Sequence, residues 1–197
     1  AGWAGLVIVG MTRFFSAEHD TGYPVDAAGV MPAAAHVRTL PPDSLIAAFP
    51  KEDADNLSTF GERSLFIQRE VSHPLYRGFL MEVRRRTYIC LAALFPIGGD
   101  NDVAILAREG VDYVLINREM LLTLARDRMT PGYDEPYGSW LARRLSSADV
   151  RNILDHWTVR MRPFVVYEDD RYLLVSIAHL QRPAVAAQTV SSPIRRQ

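Results

Sequence analysis

The residue types able to do chemistry in this chain crowd into one stretch. Between Arg63 and Arg86 the sequence carries Arg69, Glu70, His73, Tyr76, Arg77, Glu82 and the run Arg84 to Arg86. Glu70 and His73 are a carboxylate and an imidazole able to pass a proton. The arginines around them present planar forks that can clamp an anion such as a phosphate headgroup. Arg69, Glu70, His73, Tyr76 and Arg77 are therefore the candidate binding residues. The same side chains can also knit a strand to a helix as an ion-pair network, and Glu82 with Arg85 and Arg86 has the ordinary i,i+3 and i,i+4 spacing of one. No spacing here is diagnostic of catalysis, so no catalytic residue is assigned.

Other chemistry is searched for and mostly missing. No G-x-G-x-x-G follows a strand, and there is no G-x-x-x-x-G-K-[ST], H-E-x-x-H or G-x-S-x-G. Dinucleotide, P-loop, zincin and serine-hydrolase readings lose their usual support, and no cofactor is expected. Gly98-Gly99 follows a helical pattern and reads as a helix terminator, not a phosphate cradle. Glu18-His19-Asp20 gathers ligands only if a turn folds it. Asp155-His156 falls on a helical pattern, where neighbours point about 100° apart and form no dyad by themselves. His36 and His179 have no partner in sequence. The lone cysteine, Cys90, excludes an internal disulfide framework and a multi-cysteine metal site, and no metal is expected.

The elements that must position these residues follow from periodicity. Asp43 to Phe49, bounded by prolines, and Ser64 to Gln68 read as strands of one sheet. From about Leu75 to Phe95, Leu80, Val83, Cys90, Leu91 and Leu94 recur at helical spacing, with Arg84 to Arg86 opposite. Pro96 and Gly98-Gly99 stop that helix. Asp100 or Asn101 is placed to cap the next one, which runs through Glu109 and ends on a left-handed Gly110. Val111 to Asn117 is a strand apolar enough to be central and covered on both faces. Helices are predicted over Arg118 to Arg128, around Trp140 to Leu145, and from a Ser147 cap to Trp157, where Val150, Ile153, Leu154 and Trp157 share a face. Phe164 to Tyr167 and Tyr172 to Ile177 form an antiparallel hairpin. The fold class expected is α/β: a small, mainly parallel, Rossmann-like sheet flanked by helices and finished by that hairpin.

Composition bounds the rest. The 197 residues are 48% hydrophobic and 23% charged, enough apolar material for one substantial core. A net charge of −1 gives no basic field for nucleic acid, so none is expected as a partner. Only Lys51 of the 22 basic residues is a lysine, a skew read as codon bias in a GC-rich bacterial genome. Residues 1–15, AGWAGLVIVGMTRFF, carry no charge before Arg13 and are too short to span a bilayer unless they end a longer helix. They read as a membrane anchor or the end of a transmembrane helix, with a buried element at a domain's start as the other reading. Residues 16–42 read as a linker holding one short helix near Ala27 to Thr39, 43–179 as the α/β domain and 180–197 as a loose tail.

In this order the pieces resemble the soluble carboxy-terminal domain of bacterial polytopic membrane proteins related to the GT-C glycosyltransferases, which use lipid-linked sugars. The resemblance is carried by LPPDSLIAAFP (Leu40 to Pro50), ERSLFIQREVSHPLYRGFLMEVRRR (Glu62 to Arg86), REGVDYVLIN (Arg108 to Asn117) and FVVYEDDRYLLVSI (Phe164 to Ile177). It implies a domain outside the cytoplasm beneath a bundle of membrane helices, with residues 1–15 ending the last of them. That family's catalytic acidic residue sits in an early loop between membrane helices, a region this chain lacks, so none is carried over. The function expected is a non-catalytic docking or substrate-positioning domain, partnered by membrane lipid and by other membrane-protein subunits or helices. Two alternatives stay open: an accessory subunit stabilising a larger membrane assembly, and part of a GT-C-like enzyme using Glu70, His73 and nearby arginines.

Overall fold

A computed structural model gives the fold and describes residues 27–50, 52–68, 77–127, 135–146 and 150–181. The expected anchor, the first part of the linker with Glu18-His19-Asp20, the Ser147 cap and nearly all of the tail lie outside these residues. In chain order the elements are helix α1 (Ala27–Val37), strand β1 (Leu45–Ala47), α2 (Glu52–Gly61), β2 (Ser64–Leu65), α3 (Arg77–Leu94), α4 (Asp100–Arg108), β3 (Tyr113–Asn117), α5 (Arg118–Asp127), α6 (Tyr137–Ser146), α7 (Val150–Asp155), β4 (Val165–Glu168) and β5 (Tyr172–Ser176). One wide π turn, His156–Arg160, continues α7.

The strands form a five-stranded sheet in the order β2-β1-β3-β5-β4. β1 pairs in parallel with β2 and with β3, while β5 is antiparallel to both β3 and β4. The sheet is therefore mixed, correcting the expectation of a mainly parallel one. The hairpin folds back against the central strand, and apolar periodicity carries no information on strand direction. The longest ladder is the antiparallel one, from Tyr113↔Ser176 to Asn117↔Tyr172.

Alternation along β3 divides the interior. Val114 and Ile116 join one core with Leu173 and Val175 of β5, under α3 to α7. Leu115 points the other way, with Ile46, Leu174 and Tyr172, under α1 and α2. The crossover from β1 to β2 and the one from β2 to β3 run in opposite directions along the sheet, and right-handed crossovers then need helices on opposite faces. That is the arrangement seen, three layers with the sheet in the middle. α1 buries Val30, Ala33, Ala34 and Val37, so this helix packs into the globule. α2 packs on the same core through Ala54 and Leu57.

Two expected details differ. α4 starts after Gly99 with no side-chain cap from Asp100 or Asn101; instead the Asp102 carboxylate accepts the Gly98 N–H at 2.8 Å. Leu80, placed by periodicity on the core face of α3, is 37% exposed. Gly110 does take the left-handed conformation, at φ +86°, between α4 and β3.

Leu115→Ala removes a side chain only 1% exposed from the middle strand and is expected to lower unfolding free energy by about 2–5 kcal/mol. Gly110→Ala should cost about 1–2 kcal/mol from backbone strain alone, since its new Cβ meets nothing within 4 Å. Guanidinium titration of both variants checks this; equal costs would mean that the two-sided core does not dominate.

Candidate functional site

A groove of about 560 Å³ opens at the sheet edge, between the segment that continues β2 and the first turns of α3. Leu65, Phe66, Ile67, Phe79 and Val83 give it an apolar lining, and Ser58, Arg63, Gln68, Glu82 and Arg86 supply its polar atoms. β2 is an edge strand of two residues, and among the described residues no further strand pairs with it on this flank.

Its charges are committed to one another. Arg63 donates from Nε and Nη2 to the Leu40 carbonyl at 3.2 and 2.6 Å, tying the groove to the end of the α1 loop. Arg86 donates to Glu82 at 2.7 Å and to the Phe66 carbonyl at 3.4 Å, with its guanidinium 5.3 Å from the Phe66 ring centroid. Arg85 donates to Glu82 at 2.8 Å and reaches Glu109 of the α4 end at 2.6 Å. Hydrogen bonds from Arg85 and then Arg86 hold the Glu82 carboxyl down at about 2. A carboxylate held that low stays ionised near neutrality, so it is no general acid there and only a weak base.

Of the residues expected from sequence to form a site, Arg69, Glu70, His73 and Tyr76 lie outside the described residues. Arg77 opens α3 and is exposed. In sequence, the undescribed stretch joins the two walls of the groove, Gln68 on one side and Phe79 on the other. The Glu82, Arg85 and Arg86 set forms the i,i+3 and i,i+4 network that its spacing allows.

The sheet order brings together a second polar group that sequence reasoning missed. β1 lies between β2 and β3, and open α/β sheets place ligands outside the carboxyl ends of strands at such a reversal. Here Asn117 ends β3, Tyr172 begins β5 beside it, and Asp53 lies in the first turn of α2. The Tyr172 hydroxyl donates to Asp53 at 2.9 Å, and the Asn117 amide donates to the same carboxylate at 3.2 Å. The Asn117 side-chain oxygen accepts the Met120 N–H at 3.1 Å and caps α5. Burial, followed by the Asp53 charge, pushes the Tyr172 phenol well above its ordinary range. These groups satisfy each other and pin three elements together.

The third group centres on His156, which is 1% exposed at the start of the π turn. Neither ring nitrogen has a hydrogen-bond partner among the described residues, and Nδ1 stops 3.6 Å from an Asp100 oxygen. Burial pushes the imidazole below its ordinary value, with Arg160 in the same sense and the Asp100 and Asp102 charges opposing. Asp100 lies far from His156 in sequence, so no local pattern could signal the pair. His36 and His179 also gain partners only in space, stacking on Tyr167 and Phe164. Among the described residues no group of His, Cys, Asp and Glu is fit to hold a metal ion, and no helix is long and apolar enough to cross a membrane.

Compared with protein-family models, curated proteins and solved structures, the chain matches none of them.

Two outcomes follow from this geometry. His156 resists protonation when folded and accepts a proton readily when unfolded, so the unfolded chain binds more protons as pH falls below 6.5. Stability should therefore fall with pH from that point and be level above it; His156→Leu should flatten the slope in urea midpoints taken across about pH 5 to 8, and an unchanged slope would assign it to other groups. Tyr172→Phe should cost about 1–3 kcal/mol by leaving Asp53 short of a donor. A cost near zero would show that water replaces the phenol without loss.

Proposed function

We propose that this chain is a non-catalytic docking or substrate-positioning domain of a bacterial membrane protein or membrane complex, attached through residues 1–15 and facing the outside of the cytoplasm. The observation that carries the reading is the groove beside β2. Its lining is apolar, its arginines are held by backbone carbonyls and by Glu82, and its one carboxylate is locked in the ionised form. Among the described residues such a surface gives mainly shape and apolar area to a partner, with its charged side chains already paired. Pre-committed side chains also lose little freedom when a partner arrives, which favours recognition by a rigid site.

The likeness to GT-C-related carboxy-terminal domains supplies the setting: a body held at the bilayer surface, next to membrane helices that bind lipid-linked sugars. In that setting the groove positions the apolar part of a partner.

The test combines fractionation with cross-linking. The full chain is expected to stay with membranes through an alkaline carbonate wash, and a chain starting at Ala27 to be released. A photo-reactive residue at Phe79 should cross-link to a membrane component, and Gln68→Trp, which fills the groove from an element end, should suppress the product without lowering Tm. Cross-linking that is indifferent to Gln68→Trp would remove the groove from the function.

A further inference from the structure

α3 presents two different faces at its leading end. Phe79, Glu82, Val83 and Arg86 line the groove. At about 100° per residue, Arg77, Leu80, Met81 and Arg84 fall on another face, with the two arginines seven residues apart and almost in line. Both arginines are exposed, as are Leu80 at 37% and Met81 at 58%. Neither Arg77 nor Arg84 makes an ion pair among the described residues, in contrast to Arg85 and Arg86 on the same helix. Farther along α3 the same face is covered, because Tyr88 packs on Tyr137 and Trp140 of α6 with ring centroids 5.0 and 5.2 Å apart. In its first two turns the residues of this face are exposed.

We propose that this stripe is a bilayer-contact edge: Leu80 and Met81 enter the interfacial region of an anionic membrane while Arg77 and Arg84 bind lipid phosphates on either side. An apolar pair bracketed by unpaired arginines matches the layering of a lipid surface, where long basic side chains reach back to the phosphates and apolar ones sit below them. The chemistry selects lipid over a protein partner. Two cations with no carboxylate between them on this face have a complement in a plane of phosphates. The inference rests on the membrane-attached reading above, and it gives that reading an orientation: α3 tip down, with the groove opening alongside the bilayer surface.

The experiment uses the full chain with Met81→Cys, labelled with an environment-sensitive dye. Cys90 is fully buried, so the new thiol is the reactive one. Vesicles of phosphatidylcholine, with or without phosphatidylglycerol, are added, and sedimentation is recorded with dye emission. On anionic vesicles the emission should shift to the blue and be quenched by brominated lipid. Arg77→Glu and Arg84→Glu should each weaken this dye-reported contact by about fivefold or more, in line with one phosphate contact per arginine. A chain that sediments while its dye stays in water overturns the stripe and leaves membrane attachment standing. A chain that does not sediment overturns both. A blue shift without vesicles that grows with protein concentration assigns the stripe to a second copy and overturns the lipid contact, as does an equal shift on neutral vesicles.

Discussion

β3 is the constraint from which the rest of the architecture follows. Val114, Leu115 and Ile116 are consecutive, apolar and buried, and successive side chains of a strand point to opposite faces. A strand of that kind is stable only with a layer on each side. The chain meets the demand with α1 and α2 on one face and α3 to α7 on the other, and with β1 and β5 along its two edges. Asp112, just before the strand, fixes the register by main chain and side chain together. Its N–H donates to the Leu45 carbonyl, its carboxylate accepts the Leu45 N–H, and its carbonyl accepts the Ile177 N–H.

With the interior so filled, polar chemistry is pushed to the ends and edges of the sheet. Where polar side chains are drawn inward they are mostly satisfied by each other. Asp53, Asn117 and Tyr172 close the reversal of strand order, and the Trp157 indole donates to the Leu94 carbonyl at the end of α3. At the carboxyl end of β3 the first three groups are tied to one another by hydrogen bonds. A groove lies at the short edge strand β2, which has two residues of pairing. Fold and candidate site are thus connected: a two-residue edge strand makes the groove.

Much of this was legible in local sequence. The α3 and α4 periods, the left-handed Gly110, the apolar β3 and the closing hairpin are all short-range signals. The Glu82, Arg85 and Arg86 network was also legible, because helix spacing alone brings those side chains into reach. Other features were not. Strand direction leaves no mark in apolar alternation, so the antiparallel pairing of β5 with β3 was missed. α1 looks like part of a connecting segment until a sheet face exists for its small side chains, Ala33 and Ala34, to pack against. His156 and Asp100 belong to different elements, as do Asp53 and Tyr172, and nothing in either neighbourhood anticipates the pair.

By itself the sequence determined the α/β class, the central strand and the concentration of arginines around the start of α3, since each depends on residue type and spacing within a few turns. Tertiary structure decided which of those arginines are used up and which remain exposed. Arg63 reaches back to the Leu40 carbonyl and Arg85 across to Glu109, contacts set by where the chain returns in space. Arg77 and Arg84 are exposed and, among the described residues, make no ion pair. Charge is a property of a residue, but its availability depends on distances that only the folded chain defines.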